Sequence, residues 1–282
     1  MPSVSHHFLP QTYLRRFTLR SSRRTLWVYD KKDYQITAST PKGCGCQDLY
    51  HAFTKKDGTL DTDTVEAELN RIETKIDKVY QALRTERPLT IEEWAILLLF
   101  TGLMYVRVPR YVSTFERFLS DIAEHCFEVS NGSPQVLKQL EDGGFPVKVT
   151  EKGWTADRGH TVIMSLDQMD GLTDMLSKMN WQFLKAPNDC HFITGDNPVS
   201  YLVPGRKRGP FPVALADEMV EVTFPLSKSI CALGVWRSVE TLYKVVEPKI
   251  VQVVNGRVAM SSNRYLYGPR NNPMDFCDDT QS

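Results

Sequence analysis

The chain has no excess of either charge: its 34 lysines and arginines are cancelled by 34 aspartates and glutamates. That balance argues against the strongly basic footprint of a dedicated nucleic-acid coat. Basic residues gather only locally, at Arg15, Arg16, Arg20, Arg23 and Arg24 and in the run Arg206-Lys207-Arg208. Long apolar runs are also missing. The most apolar stretch, Trp94 to Val106, reaches 13 residues before Arg107 interrupts it. A membrane span needs roughly 18 or more, so this stretch reads as a buried central helix and no membrane partner is expected. Cysteine is sparse: the six are scattered except for Cys44 and Cys46, and no basic start with an apolar stretch marks a signal peptide. Both features suit a reduced, cytoplasmic protein. No P-loop, dinucleotide glycine pattern, nucleophile elbow or His-Glu-x-x-His helix occurs, and neither does an internal repeat or low-complexity segment.

What is present suffices for a sizeable core, since 282 residues bury most of their apolar surface without covalent help. Thr25 to Asp30 and Tyr34 to Thr37 read as a β-hairpin around Asp30-Lys31-Lys32-Asp33. From Asp63 the period becomes helical: Asp63 with Glu66 fits a capping box, and Leu69, Ile72, Ile76, Val79 and Leu83 follow at steps of three and four. Thr90 and Glu93 repeat the cap before the apolar run, and a third amphipathic helix follows Pro109. Three helices joined by short connections suggest an antiparallel bundle. Later runs at 162–164, 181–185, 191–194, 199–203, 220–224 and 230–235 read as strands, 172–179 as a helix. Pro248 opens another helix, and Arg264 to Tyr267 is the last strand. The order predicts an α+β fold, with an antiparallel sheet built from the N- and C-terminal segments and an intervening helical bundle. Residues 1–282 are expected to form one intertwined domain. Within it, 1–60 and 147–270 are mainly sheet-forming, 63–142 is a helical insertion and 271–282 a flexible tail.

Three groups of residues carry a resemblance: His6-His7-x-x-Pro10-x-x-Tyr13-Leu14-Arg15-x-Phe17; Trp27-Val28-Tyr29-Asp30-Lys31; and Phe192-Ile193-Thr194-Gly195-Asp196-Asn197-Pro198-Val199 with Pro225-Leu226-Ser227. In order and over nearly the whole chain, they resemble the bacterial family catalogued as domain of unknown function 4238. Where that family often has serine the chain has Gly195, and Cys44-Gly45-Cys46 is not part of its pattern. The resemblance implies no reaction, so chemistry has to come from the residues.

His6 and His7 open onto opposite faces if extended, so one can serve a site while the other packs. Pro10, opening a helix, would aim the N–H groups of Gln11 to Tyr13 at an anion, with Arg15 and Tyr13 as substrate contacts. The structural alternative is that a histidine locks the helix start and Tyr13 is core. Asp196 and Asn197 fit either a hairpin turn or a general base with its orienting partner. Glu66 and Glu73, seven apart on one helix line, either complete a centre or are solvated charges. Arg107 and Arg110 follow the apolar helix, where a desolvated arginine needs a carboxylate or a bound anion. Cofactors are left open. A divalent metal on some of His6, His7, Glu66, Glu73 and Asp196 is one candidate, whereas Cys44 and Cys46 with His51 make only a partial zinc pattern.

The leading expectation is a hydrolase directed at nucleic-acid or nucleotide phosphodiesters, in which His6 or His7, Asp196 and Asn197 converge and Arg15, Arg107 and Arg110 hold phosphate. Phage defence is a conceivable context. The alternative is a non-enzymatic anion-binding or protein-interaction module, with a protein partner or homo-oligomer left open.

Overall fold

Strand Leu26–Asp30 near the start of the chain pairs antiparallel with Tyr265–Gly268 near its end, in the register Trp27 to Gly268 through Asp30 to Tyr265. The α+β class is thereby built as the pattern predicts, from the two ends of the chain. The computed structural model describes residues 5–19, 24–55, 57–131, 133, 135–136, 139, 147–150, 153–156, 158–205 and 215–272. Arg20, Arg23, the basic run 206–208 and the tail from 273 lie outside the described residues.

In chain order the elements are β1 Ser5–His7, α1 Gln11–Leu14, β2 Leu26–Asp30, β3 Gln35–Ser39, β4 Cys46–Asp48, β5 Phe53–Thr54, β6 Leu60–Asp61, α2 Thr64–Glu73, α3 Ile76–Arg84, α4 Ile91–Val106 and α5 Pro109–Val129. They continue with β7 Val147–Thr150, β8 Gly153–Ala156, α6 Arg158–Asp167, α7 Met169–Ser177, β9 Asn180–Lys185, β10 Thr194–Gly195, β11 Ser200–Leu202, β12 Glu221–Ser227, β13 Ile230–Val235, β14 Tyr243–Val245, α8 Pro248–Ser261 and β15 Tyr265–Gly268. One sheet has the order β10-β15-β2-β3 and a second β11-β12-β13-β9-β14; β1 pairs with β4 in a ribbon of its own. All of these pairings are antiparallel except β14 on β9.

The helices depart from a simple three-helix bundle. The first is broken between Glu73 and Ile76, where Lys75 N–H reaches the Ile72 carbonyl in a tight i to i+3 bond and the Thr74 hydroxyl donates to the Arg71 carbonyl. Helix α4 forms as expected, with the Thr90 to Glu93 capping box intact. It meets α5 at a 63° bend, because Pro109 forces the preceding Val108 into an extended conformation. Among the described residues no single helix is long and apolar enough to cross a membrane. Residues 162–164, expected as a strand, lie inside α6. Their run is too short for periodicity to separate strand from helix, and Thr161, Val162 and Ser165 share a buried side at helical spacing.

The main core runs from Leu9, Tyr13, Leu14 and Phe17 through Leu97 and Phe100 of α4 to Phe183 and Phe224 of the larger sheet. The one-turn helix α1 is thus held by burial of its apolar side, as too short a helix must be. The N-terminal segment is consequently part of the core, and this places His6 beside the helices.

Candidate functional site

The ribbon of β1 on β4 separates the two adjacent histidines. His6 faces inward and is fully buried, while His7 lies on the other face, its Nε2 3.1 Å from the Lys42 carbonyl. The chain enters β4 through Gly45, which takes φ +63° and accepts from Leu9 N–H at 3.0 Å. A Cβ there would stand 2.6 Å from that of Leu9. This conformation and close approach explain the glycine of Cys44-Gly45-Cys46, and Cys44 donates to the Ser39 hydroxyl.

Beyond β4 the chain delivers Tyr50 and His51 to His6. The His51 backbone N–H donates to His6 Nδ1 at 2.9 Å, and the two imidazoles stack with centroids 5.7 Å apart and planes 13° from parallel. On its other side His51 Nδ1 makes a very short hydrogen bond to Glu66 Oε1. Glu66 is available for this because Asp61, not the expected Asp63, caps α2: its carboxylate accepts from Asp63 N–H and Thr64 N–H. Burial drives the His51 pKa down to about 4, with nearby Arg107 acting in the same direction, against the opposing pull of Glu66. Burial would raise Glu66, but its bond to His51 brings it below the usual carboxylate value. A neutral imidazole facing a carboxylate must carry its proton on Nδ1. His51 Nε2 is then a bare lone pair, buried and without a hydrogen-bond partner among the described residues.

Arg107, 1 % exposed, stands beside this cluster. As its position requires, it has a carboxylate: Nη1 donates to Glu73 Oε1 at 2.6 Å. Nη2 donates to the His7 carbonyl, and the Tyr50 hydroxyl donates to the Arg107 carbonyl at 2.8 Å. The guanidinium of Arg158 lies 5.3 Å above the Tyr50 ring. Arg107 is therefore a buried tie between α4, α2 and β1.

Ligand atoms of His6, His51 and Glu66 all fall within 4.8 Å of one another. Two imidazoles and a carboxylate are a reasonable donor set for a transition ion. The hydrogen bonding does not fit that use. His6 Nδ1 spends its lone pair on the His51 N–H, which leaves the proton of the neutral ring on Nε2, so neither nitrogen offers a lone pair unless that bond is given up. The remaining metal candidates go elsewhere: His7 to Lys42, Glu73 to Arg107 and Asp196 to backbone.

Asp196 does not converge with His6. Its carboxylate accepts from Asn263 N–H at 2.7 Å, Arg264 N–H at 2.8 Å and Tyr265 N–H at 3.0 Å, and burial pushes its pKa up against the pull of those three groups. Asn197 Nδ2 donates to the Ser261 carbonyl at 3.0 Å and receives the Ser261 hydroxyl on its own carbonyl. Arg110, a candidate phosphate contact, also donates to the Ser261 carbonyl. Lys31 Nζ reaches the carbonyls of Ala259 and Ser262. These residues together close the C-terminal end of α8, where exposed carbonyls and the helix dipole favour cations, and turn the chain into β15. Tyr13, expected to touch substrate, is buried between Phe17 and Phe224. Only Arg15 among the substrate-contact candidates stays exposed.

Of the sequence-derived residues, the structure brings His6 and Glu66 together; the member of the cluster it adds is His51. The signal for His51 was its spacing from Cys44 and Cys46, which pointed to the wrong partners. The family described as "Protein of unknown function (DUF4238)" matches residues 5–272. No curated protein and no solved structure matches the chain.

Proposed function

The chain belongs to the DUF4238 family of proteins of unknown function, and from its own residues we propose a hydrolase in which the His51 imidazole, oriented by Glu66, is the general base. One observation carries this reading: a neutral, buried imidazole held at Nδ1 by a carboxylate, with the Nε2 lone pair unmatched. That arrangement prepares Nε2 to take a proton from water or a hydroxyl, and Glu66 then stabilises the imidazolium formed. Glu66, whose side chain is 28 % exposed, is the member of the pair that meets solvent. Arg107, itself paired with Glu73, is the cation whose field reaches both members of the pair, which suits a phosphodiester, whose transition state gains negative charge on its oxygens. Asp196 and Asn197 take no part.

The test is turnover of DNA, RNA and nucleotides by the wild type and by His51→Gln and Glu66→Gln, each checked for native circular dichroism. Turnover by the wild type, lowered about 100-fold or more in His51→Gln, is expected of a lost general base. Equal turnover in all three removes His51 from the chemistry.

A second reading has its own support. His6 and His51 are both buried and joined through the backbone N–H of His51, as a structural clasp between β1 and α2 would be. Absence of turnover on every substrate, with both variants destabilised, favours the clasp and a binding module.

A further inference from the structure

A cleft of about 570 Å³ opens where the N-terminal helical segment meets α3 and the turn from β12 to β13. It shares no residue with the His6, His51 and Glu66 cluster, and the inference below stands independently of the hydrolytic reading. Among the described residues, Arg15, Arg16, Arg24 and Lys228 line it against a single carboxylate, Asp77. Arg16 is held in place by Asp77 Oδ1 at 2.5 Å and by the Tyr80 ring, 4.2 Å below its guanidinium. Lys228 Nζ donates to the Thr18 carbonyl at 2.7 Å, and its backbone N–H to the Arg16 carbonyl at 3.2 Å. Arg15 and Arg24 are exposed, and neither has an ion pair among the described residues.

We propose that this cleft binds an oligophosphate chain, two or more linked phosphate groups, with Arg15 and Arg24 as its principal contacts. The size falls within the range of small-molecule sites. Four cations facing one carboxylate disfavour an uncharged or singly charged occupant, and guanidinium forks match phosphate oxygens two at a time. Among the described residues no aromatic side chain lines the cleft, so none of them stacks a base. Recognition rests on the phosphates alone, and both free tripolyphosphate and the phosphate chain of a nucleotide qualify.

Isothermal titration of the full chain with sodium tripolyphosphate, ATP and a 20-nucleotide single-stranded DNA tests this at constant ionic strength. Expected are saturable one-site binding of tripolyphosphate, competition by ATP at a comparable concentration, and weakening of about tenfold or more in the Arg15→Ala/Arg24→Ala double variant. Both side chains are exposed, and circular dichroism verifies that the variant folds. His51→Gln should bind tripolyphosphate as the wild type does, whether or not it retains turnover. No binding of tripolyphosphate, unchanged affinity in the double variant, or DNA binding that tripolyphosphate does not displace would each overturn the assignment. Binding of ATP without tripolyphosphate would also overturn it, because the phosphate chain would then not be the recognised group.

Discussion

The Tyr13 hydroxyl donates to the Pro225 carbonyl at 2.7 Å across 212 residues of sequence. The same oxygen lies 2.7 Å from Thr194 Oγ1. Since the phenol has one proton and spends it on Pro225, Thr194 is the donor in the second bond. Three segments far apart in sequence, at residues 13–17, 192–199 and 225–227, thus meet on one buried oxygen.

Tyr13→Phe removes that junction and leaves a buried carbonyl and a buried hydroxyl without their partner. The expected loss is about 1–3 kcal/mol, read from urea unfolding. Thr194→Val should lose less, because the Tyr13 to Pro225 bond survives. In a double-mutant cycle the two changes should be non-additive; additive losses would show that the hydroxyls do not interact.

Gly195 has no room for a side chain, and the reason is local. A Cβ there would lie 1.8 Å from Ser262 Oγ, 2.9 Å from Ser262 Cβ and 3.1 Å from the Tyr265 carbonyl. The hydroxyl can rotate away, but the Ser262 Cβ is fixed to the backbone. Gly195→Ala is expected to destabilise by about 1–3 kcal/mol, as overpacked sites do. Ser262→Gly in the same chain should recover most of that loss; the measurement is the urea midpoint of the two single variants and the double.

Arg107 and Glu73 form a buried ion pair whose partners are 1 % and 14 % exposed. Removing one charge strands the other, so Arg107→Met should lose about 3–5 kcal/mol. The same change frees the His7 carbonyl from its guanidinium donor. Hydrogen exchange at residues 5–8 should therefore accelerate more than at β13. A loss under about 1 kcal/mol, outside the range for a broken buried pair, would show that Arg107 is no tie.

Much of the fold could be read from local pattern. The capping box at Thr90 and Glu93, the Pro248 helix start and the strand at 230–235 each depend on residues a few positions apart, and each forms. The candidate site was less legible because its decisive contacts are not local. Asp196 and Asn197 have turn-forming composition and also suit catalysis; only the backbone N–H groups of residues 263–265, 67 to 69 positions away, show what the carboxylate does. Glu66 carries the pattern of a capping box with Asp63, yet Asp61 supplies the cap and Glu66 turns to His51. His51 has no helical or strand period around it, and its neighbours in sequence suggested zinc. What makes it notable, an unmatched Nε2 lone pair, is a property of packing and has no signature in residue order.

The protonation state of His51 follows from the same packing. A folded pKa of about 4 lies below the ordinary value near 6.5. The unfolded chain therefore binds the proton more readily, and the stability linked to this residue is full above about pH 6.5 and lost as pH falls through about 4. The direct measurement is the ¹⁵N chemical shifts of histidine-labelled protein, with His51 assigned by His51→Gln, followed from pH 7.5 to pH 4. The prediction is an Nδ1–H tautomer with an unprotonated Nε2 at pH 7, and no imidazolium before pH approaches 4. A proton on Nε2 at pH 7, or charging near pH 6.5, would contradict the general-base centre at its root.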